Sequence, residues 1–149
     1  MTFKQKIYSH YLNQVNEKVN LLQNALVELK ESSSNETKST AGDKHETALA
    51  MLQIEQKNIL GQLQEALMQK HGLGKIDPSL TSSSITTGSL VKTSRGYFFI
   101  SIALGKTVVD GMEVMAISEH APLGKKMMGL KAGEIVEMNS FEYIVENLE

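Results

Sequence analysis

Cysteine and tryptophan are both missing from the 149 residues, and the chain has only two prolines and one arginine. Without cysteine there is no disulfide framework, no cysteine-ligated zinc, no iron–sulfur cluster and no thiol nucleophile. The lack fits a reducing compartment, and a cytoplasmic location is expected. The longest nearly apolar run, Tyr97 to Leu104, is eight residues and contains Ser101, whereas about 20 are needed to span a bilayer. The opening Met-Thr-Phe-Lys-Gln-Lys-Ile-Tyr carries charges with no apolar block behind them, so no signal peptide is expected. Lys and Arg total 15 against 17 Asp and Glu, a formal net charge of −2. That balance argues against a protein whose main task is neutralising nucleic-acid phosphate, and independent sequence-specific DNA binding is not expected. Arg95 is the sole guanidinium, the group best suited to bidentate phosphate and guanine recognition.

Catalytic signatures are missing too. His10, His45, His71 and His120 form no HxxxH, HxH or HExxH arrangement, and neither a phosphate-binding glycine loop nor a GxSxG elbow is present. From its residues the chain reads as an interaction protein and not as an enzyme in its own right.

What is there divides near residue 75. Residues 1–75 contain no proline, and residues 76–149 contain both prolines and most of the Val/Ile pairs. The junction Lys70-His-Gly-Leu-Gly-Lys-Ile-Asp-Pro78 combines helix-ending glycines with an Asp-Pro turn step. Two domains are therefore expected, 1–75 and 76–149.

In the first, Tyr8, Tyr11, Val15, Val19, Leu22, Leu26 and Leu29 recur at alternating spacings of about three and four, the a/d pattern of a coiled-coil seam. A second series runs Leu49, Leu52, Gln56, Ile59, Leu63 and Ala66, with Leu60 and Leu67 expected to widen it. Each stripe needs a partner, and the nearest is the other, which gives an antiparallel hairpin. Two arrangements stay open: an arm held in solvent, or a hairpin covered by the second half or by a second copy. Ser32 to Gly42, with no aliphatic larger than alanine, is expected to be a long connection.

Gly42-Asp43-Lys44-His45-Glu46 follows. Asp43 suits an N-cap and Glu46 the capping-box acid three residues on, with Thr40 and Asp43 offering the same device one turn earlier. The same two carboxylates, held within one turn at a helix start, can contribute to a hard divalent cation site. Alone they would bind it weakly, because Mg²⁺ takes six oxygens.

In the second domain, strands are expected at Ile85–Thr93, Tyr97–Ile102, Thr107–Val109, Met112–Ser118, Glu134–Met138 and Phe141–Leu148. Asp110-Gly111 and Asn139-Ser140 are the turn signals. Pro122 to Gly129 fits a short helix with Pro at its start and Gly past its end. Met112, Met115, Met127, Met128 and Met138 are expected to fill an irregular core. The fold class is α+β: a coiled-coil hairpin followed by a small antiparallel sheet with one short helix.

The segment Ser118-Glu-His-Ala-Pro-Leu-Gly-Lys-Lys-Met-Met-Gly-Leu-Lys-Ala-Gly-Glu-Ile-Val-Glu137 resembles the C-terminal domain of the Gre family of bacterial transcription elongation factors. The family pattern there is Ser-Pro-Leu-Gly-x-x-x-Leu-Gly-x-x-x-Gly-Asp-x-Val. Pro122, Leu123, Gly124, Gly129, Gly133 and Val136 match it, with Ala121 for Ser, Met128 for Leu and Glu134 for Asp. At the tip, Gly42, Asp43 and Glu46 match the family's Gly-Asp-Leu-x-Glu-Asn-Ala-Glu-Tyr, while Lys44, Thr47, Leu49 and Ala50 depart from it.

The resemblance implies an FKBP-like C-terminal domain that docks on bacterial RNA polymerase, with Ala121, Pro122 and Leu123 as the contact surface. It implies a coiled coil that enters the polymerase's secondary channel. Asp43 and Glu46 would then help hold a catalytic Mg²⁺ supplied in the polymerase active centre, where backtracked RNA is cleaved at its 3′ end. No tightly bound cofactor is implied for the chain itself. The departures at the tip make it less negative and leave a second class open, a channel-binding regulator that does not cleave. A self-associating coiled-coil protein is a third.

Overall fold

The structure is a computed structural model that describes residues 1–37 and 43–149, the side chains of 36, 37 and 43–45 excepted. Two long helices, α1 (Phe3–Thr37) and α2 (Asp43–Gly74), precede β1 (Leu90–Thr93), β2 (Gly96–Ser101), β3 (Gly105–Val109) and β4 (Met112–Ser118). The short helix α3 (Pro122–Met127), β5 (Ile135–Met138) and β6 (Phe141–Leu148) complete the order. This is the expected α+β architecture. The chain forms two compact units, Asn13–Lys70 on the one hand and Met1–Leu12 with His71–Glu149 on the other.

The unit of Asn13–Lys70 is held by the expected seam. Val15, Val19, Leu22, Leu26 and Leu29 are all buried. On α2, Leu49, Leu52, Gln56, Ile59 and Leu63 are half-buried and Ala66 is buried. Leu60 and Leu67 do not widen the stripe: they are 48% and 43% exposed. One residue past Ile59 and Ala66, each is turned about 100° away from the seam. The long connection expected from Ser32 is also corrected, because α1 continues through Ser32, Ser33, Ser34, Asn35 and Glu36 to Thr37. Serine and asparagine cost a helix only about 0.5 kcal/mol each, and a helix already nucleated by a packed seam propagates across them. Thr40 and Gly42 lie outside the described residues.

In the other unit, α1 starts with a reciprocal cap: the Gln5 N–H donates to Thr2 Oγ1 (3.1 Å) and the Thr2 N–H to Gln5 Oε1 (2.9 Å). Tyr8 donates its hydroxyl to the carbonyl of Leu73 at 2.8 Å, so the start of α1 lies beside the end of α2, as an antiparallel pair requires. The strands form one sheet in the order β3-β4-β2-β1-β6-β5. Its pairs are antiparallel except β2 with β4, which run parallel from Tyr97↔Val114 to Ser101↔Ser118. That one pair departs from the all-antiparallel expectation, since β3 crosses to the far side of β4 and pairs there. Asp110 and Gly111 make the expected tight turn, both at positive φ (51° and 77°).

Strand pleat sends alternate residues to opposite faces. On one face Val91, Phe98, Ile100, Val136 and Val145 bury against Ile85 and Met127, the latter on α3. On the other, Leu90, Phe99, Val114 and Ala116 are buried together with Ile7 and Tyr11 of α1. Two expectations are corrected here. Met112 is 48% exposed, as befits a residue beside a turn. Ile85 precedes the ladder, which begins only at Leu90; its N–H and carbonyl instead pair with Leu130 and Gly129, at 2.8 Å each.

Candidate functional site

The two tip acids belong to the opening turn of α2, which begins at Asp43, within one residue of the cap position expected. The side chain of Asp43 lies outside the described residues. Glu46 is exposed, three positions on, and residues at that spacing share one helix face with Cβ atoms about 5–6 Å apart. Among the described residues no three His, Asp or Glu side chains cluster so as to hold a metal ion. Two helix carboxylates by themselves fall far short of an octahedral oxygen shell.

The expected docking loop leads into α3. Ala121 is half-buried, Pro122 exposed and Leu123 half-buried, with Leu123 packed on the core cluster of Phe98, Ile100 and Met127. Pro122 takes the first helical turn, where its missing N–H costs nothing. The loop is pinned by backbone bonds, Ala121 N–H to the Ser118 carbonyl (3.1 Å) and Lys125 N–H to the Ala121 carbonyl (2.8 Å). Gly124 is buried in this turn, and a Cβ there would collide with the carbonyl of Ser118. The glycine of the Pro-Leu-Gly step thus has a packing reason: only without a side chain can the strand end of β4 close on α3. Of the three loop residues, Pro122 is the one free to meet a partner, whereas Leu123 is partly committed to the core.

Sequence reasoning missed Lys4. It is 4% exposed, and its Nζ donates to the carbonyl of Leu80 at 2.6 Å. Burial pushes the ammonium pKa down, opposed by the charges of Glu149 and Asp77. The signal was present in the spacing, because 4, 8, 11 and 15 continue the seam rhythm into the first turn. A lysine on an apolar face reads as solvated until the segment carrying Leu80, whose carbonyl it meets, is placed beside it.

No protein-family model and no curated protein matches the chain. Among solved structures, that of the transcription factor Gfh1 is similar, with 18% sequence identity over 95% of this chain and 92% of that chain and a TM-score of 0.35. At that TM-score the likeness carries no argument, and the architecture rests on the helices and the sheet described above. No described helix is long and apolar enough to cross a membrane.

Proposed function

We propose that this chain is a transcription elongation factor of the Gre type, acting on bacterial RNA polymerase through its secondary channel. The observation that carries the reading is the placement of Glu46, exposed on the opening turn of the second long helix, three residues from the Asp43 that starts it. In this reading Pro122 and its neighbours dock on the polymerase and the hairpin reaches inward. Asp43 and Glu46 then face an active centre whose Mg²⁺ ions belong to the polymerase. Mg²⁺ bound there would supply the activation of water for hydrolysis at the RNA 3′ end, and Asp43 and Glu46 would contribute negative charge beside it. The factor itself is not an enzyme.

Lys44, beside Asp43, favours a second reading in which the chain occupies the channel without stimulating cleavage. A self-associating coiled coil is the third reading. The exposed Leu21 and Val27 flank the α1 seam on opposite sides, whereas Leu60 and Leu67 of α2, also exposed, lie seven residues apart on one face.

Immobilised full-length chain should retain bacterial RNA polymerase, and adding it to backtracked complexes should release short 3′ RNA fragments. Retention without cleavage moves the chain to the regulator class, and no retention ends both readings. The full chain is needed, because Ile7 and Tyr11 cover one face of the sheet domain.

A further inference from the structure

A cavity of about 510 Å³ lies within the unit of Met1–Leu12 and His71–Glu149, lined by Lys4, Leu80, Thr87, Ser101, Ser118 and Glu119 among others. It has the size of a small-ligand site. Buried ammonium groups are normally paired. Lys4 donates one of its three N–H bonds to Leu80, and among the described residues no carboxylate lies within ion-pair distance of it. Glu149 acts on Lys4 by charge from outside the cavity lining, and the two acids in the lining are engaged elsewhere. Asp77 accepts from the N–H and hydroxyl of Ser79, and Glu119 accepts from the Thr87 hydroxyl at 2.7 Å. The paired ends of β2 and β4 add hydroxyls at Ser101 and Ser118. Ser101 is 5% exposed, and its Oγ has no hydrogen-bond partner among the described residues.

We propose that this cavity binds a small polar monocarboxylate, an α-hydroxy or α-amino acid, with its carboxylate on Lys4 and its hydroxyl or amino group toward the Ser101–Ser118 wall. A polyanion is disfavoured: Lys4 and Lys75 in the lining are balanced by Asp77 and Glu119, so a second or third negative charge meets a carboxylate instead of a cation. A purely apolar ligand would leave the spare ammonium donors unmet. The site is separate from the hairpin tip and from Pro122, and it does not depend on the polymerase reading.

The test is an amide NMR titration of the full chain with L-lactate, L-serine, glycerol and inorganic phosphate. Lactate or serine should give saturable shifts at Thr87, Ser101 and Ser118, weakened at least tenfold in Lys4→Met, whereas glycerol should give none. Equal binding of glycerol, retention of lactate and serine binding in Lys4→Met, saturation by phosphate alone, or no saturation by any of the four overturns the proposal. Should Lys4→Met fail to fold, Ser101→Ala decides: it should weaken lactate and serine binding severalfold, since the Ser101 Oγ has no other hydrogen-bond partner among the described residues, and unchanged binding overturns the site.

Discussion

Tyr11 of α1 stacks on Phe99 of β2, ring centroids 6.2 Å apart and 17° from parallel. Its hydroxyl donates to the carbonyls of Gly105 and Val114, at 2.8 and 3.2 Å. The residue is fully buried, and burial pushes the phenol up to about 12, the backbone of Ala116 partly opposing. A group whose pKa is higher folded than unfolded contributes stability that is intact below the unfolded value and lost as pH rises through the folded one. For Tyr11 the window runs from about pH 10 to about 12. Urea unfolding should therefore show stability falling across that range, and Tyr11→Phe should flatten the fall. Tyr8, whose pKa is raised by burial in the same direction, keeps part of it. At neutral pH Tyr11→Phe should cost about 1 kcal/mol for the lost hydrogen bonds.

The seam gives a paired prediction. Leu22 is 6% and Leu26 9% exposed, and burying one leucine contributes about 1.5–3 kcal/mol. Leu22→Asp or Leu26→Asp forfeits that and buries an unpaired charge. Either should abolish most of the 222 nm helical signal of Asn13–Lys70. Leu67→Asp, at a position 43% exposed, should leave that signal within a few per cent of wild type. Equal loss in both classes would refute the seam.

Asn139 and Ser140 turn the chain between β5 and β6 with φ of 53° and 67°. Serine in the left-handed region costs roughly 1–2 kcal/mol, more than the extra unfolded-state freedom of glycine takes back. Ser140→Gly should therefore stabilise by about 0.5 kcal/mol, a rise of roughly 1–2 °C in Tm by calorimetry.

At Gly124 two effects oppose. Alanine favours a helix by about 1 kcal/mol, but its Cβ would meet the Ser118 carbonyl, which is backbone and cannot swing aside. Overpacking of this kind costs about 1–3 kcal/mol. Gly124→Ala should lower Tm and shift the amides of Glu119 to Ala121, and unchanged spectra would remove the packing argument.

At the tip, Asn caps a helix nearly as well as Asp but is a poor ligand for Mg²⁺. If the chain stimulates RNA cleavage, Asp43→Asn should abolish it while polymerase retention and helix content stay at wild-type level. Full activity in that variant would reduce the acid to a helix-start residue.

The hairpin was legible because a seam is a local pattern. Of the α1 positions named from spacing, Tyr11, Val15, Val19, Leu22, Leu26 and Leu29 are buried and Tyr8 is half-buried. Phe141–Leu148 and Met112–Ser118 were legible as strands, since alternation and turn residues bracket them. The parallel pairing of β2 with β4 was not legible, because register across a sheet depends on partners distant in the chain. Nor was the burial of Lys4, since position 4 reads as the first polar turn of a helix until the segment carrying Leu80 lies against it. At the tip, Asp43 and Glu46 were visible as residues, but two carboxylates at a helix start do not by themselves define a site.

That Ile7 and Tyr11 cover Phe99 and Val114 has a consequence for synthesis. Tyr11 is 88 positions from Phe99 and 103 from Val114, so the contact closes only after β2 and β4 have left the ribosome. The seam pairs, nearer in sequence, can zip earlier. During that interval the nascent chain carries Ile7 and Tyr11, both buried in the folded unit, with nothing to cover them, a natural handle for a chaperone. Strands β2 and β4, far along the chain from α1, are the ones that let its first turns come to rest.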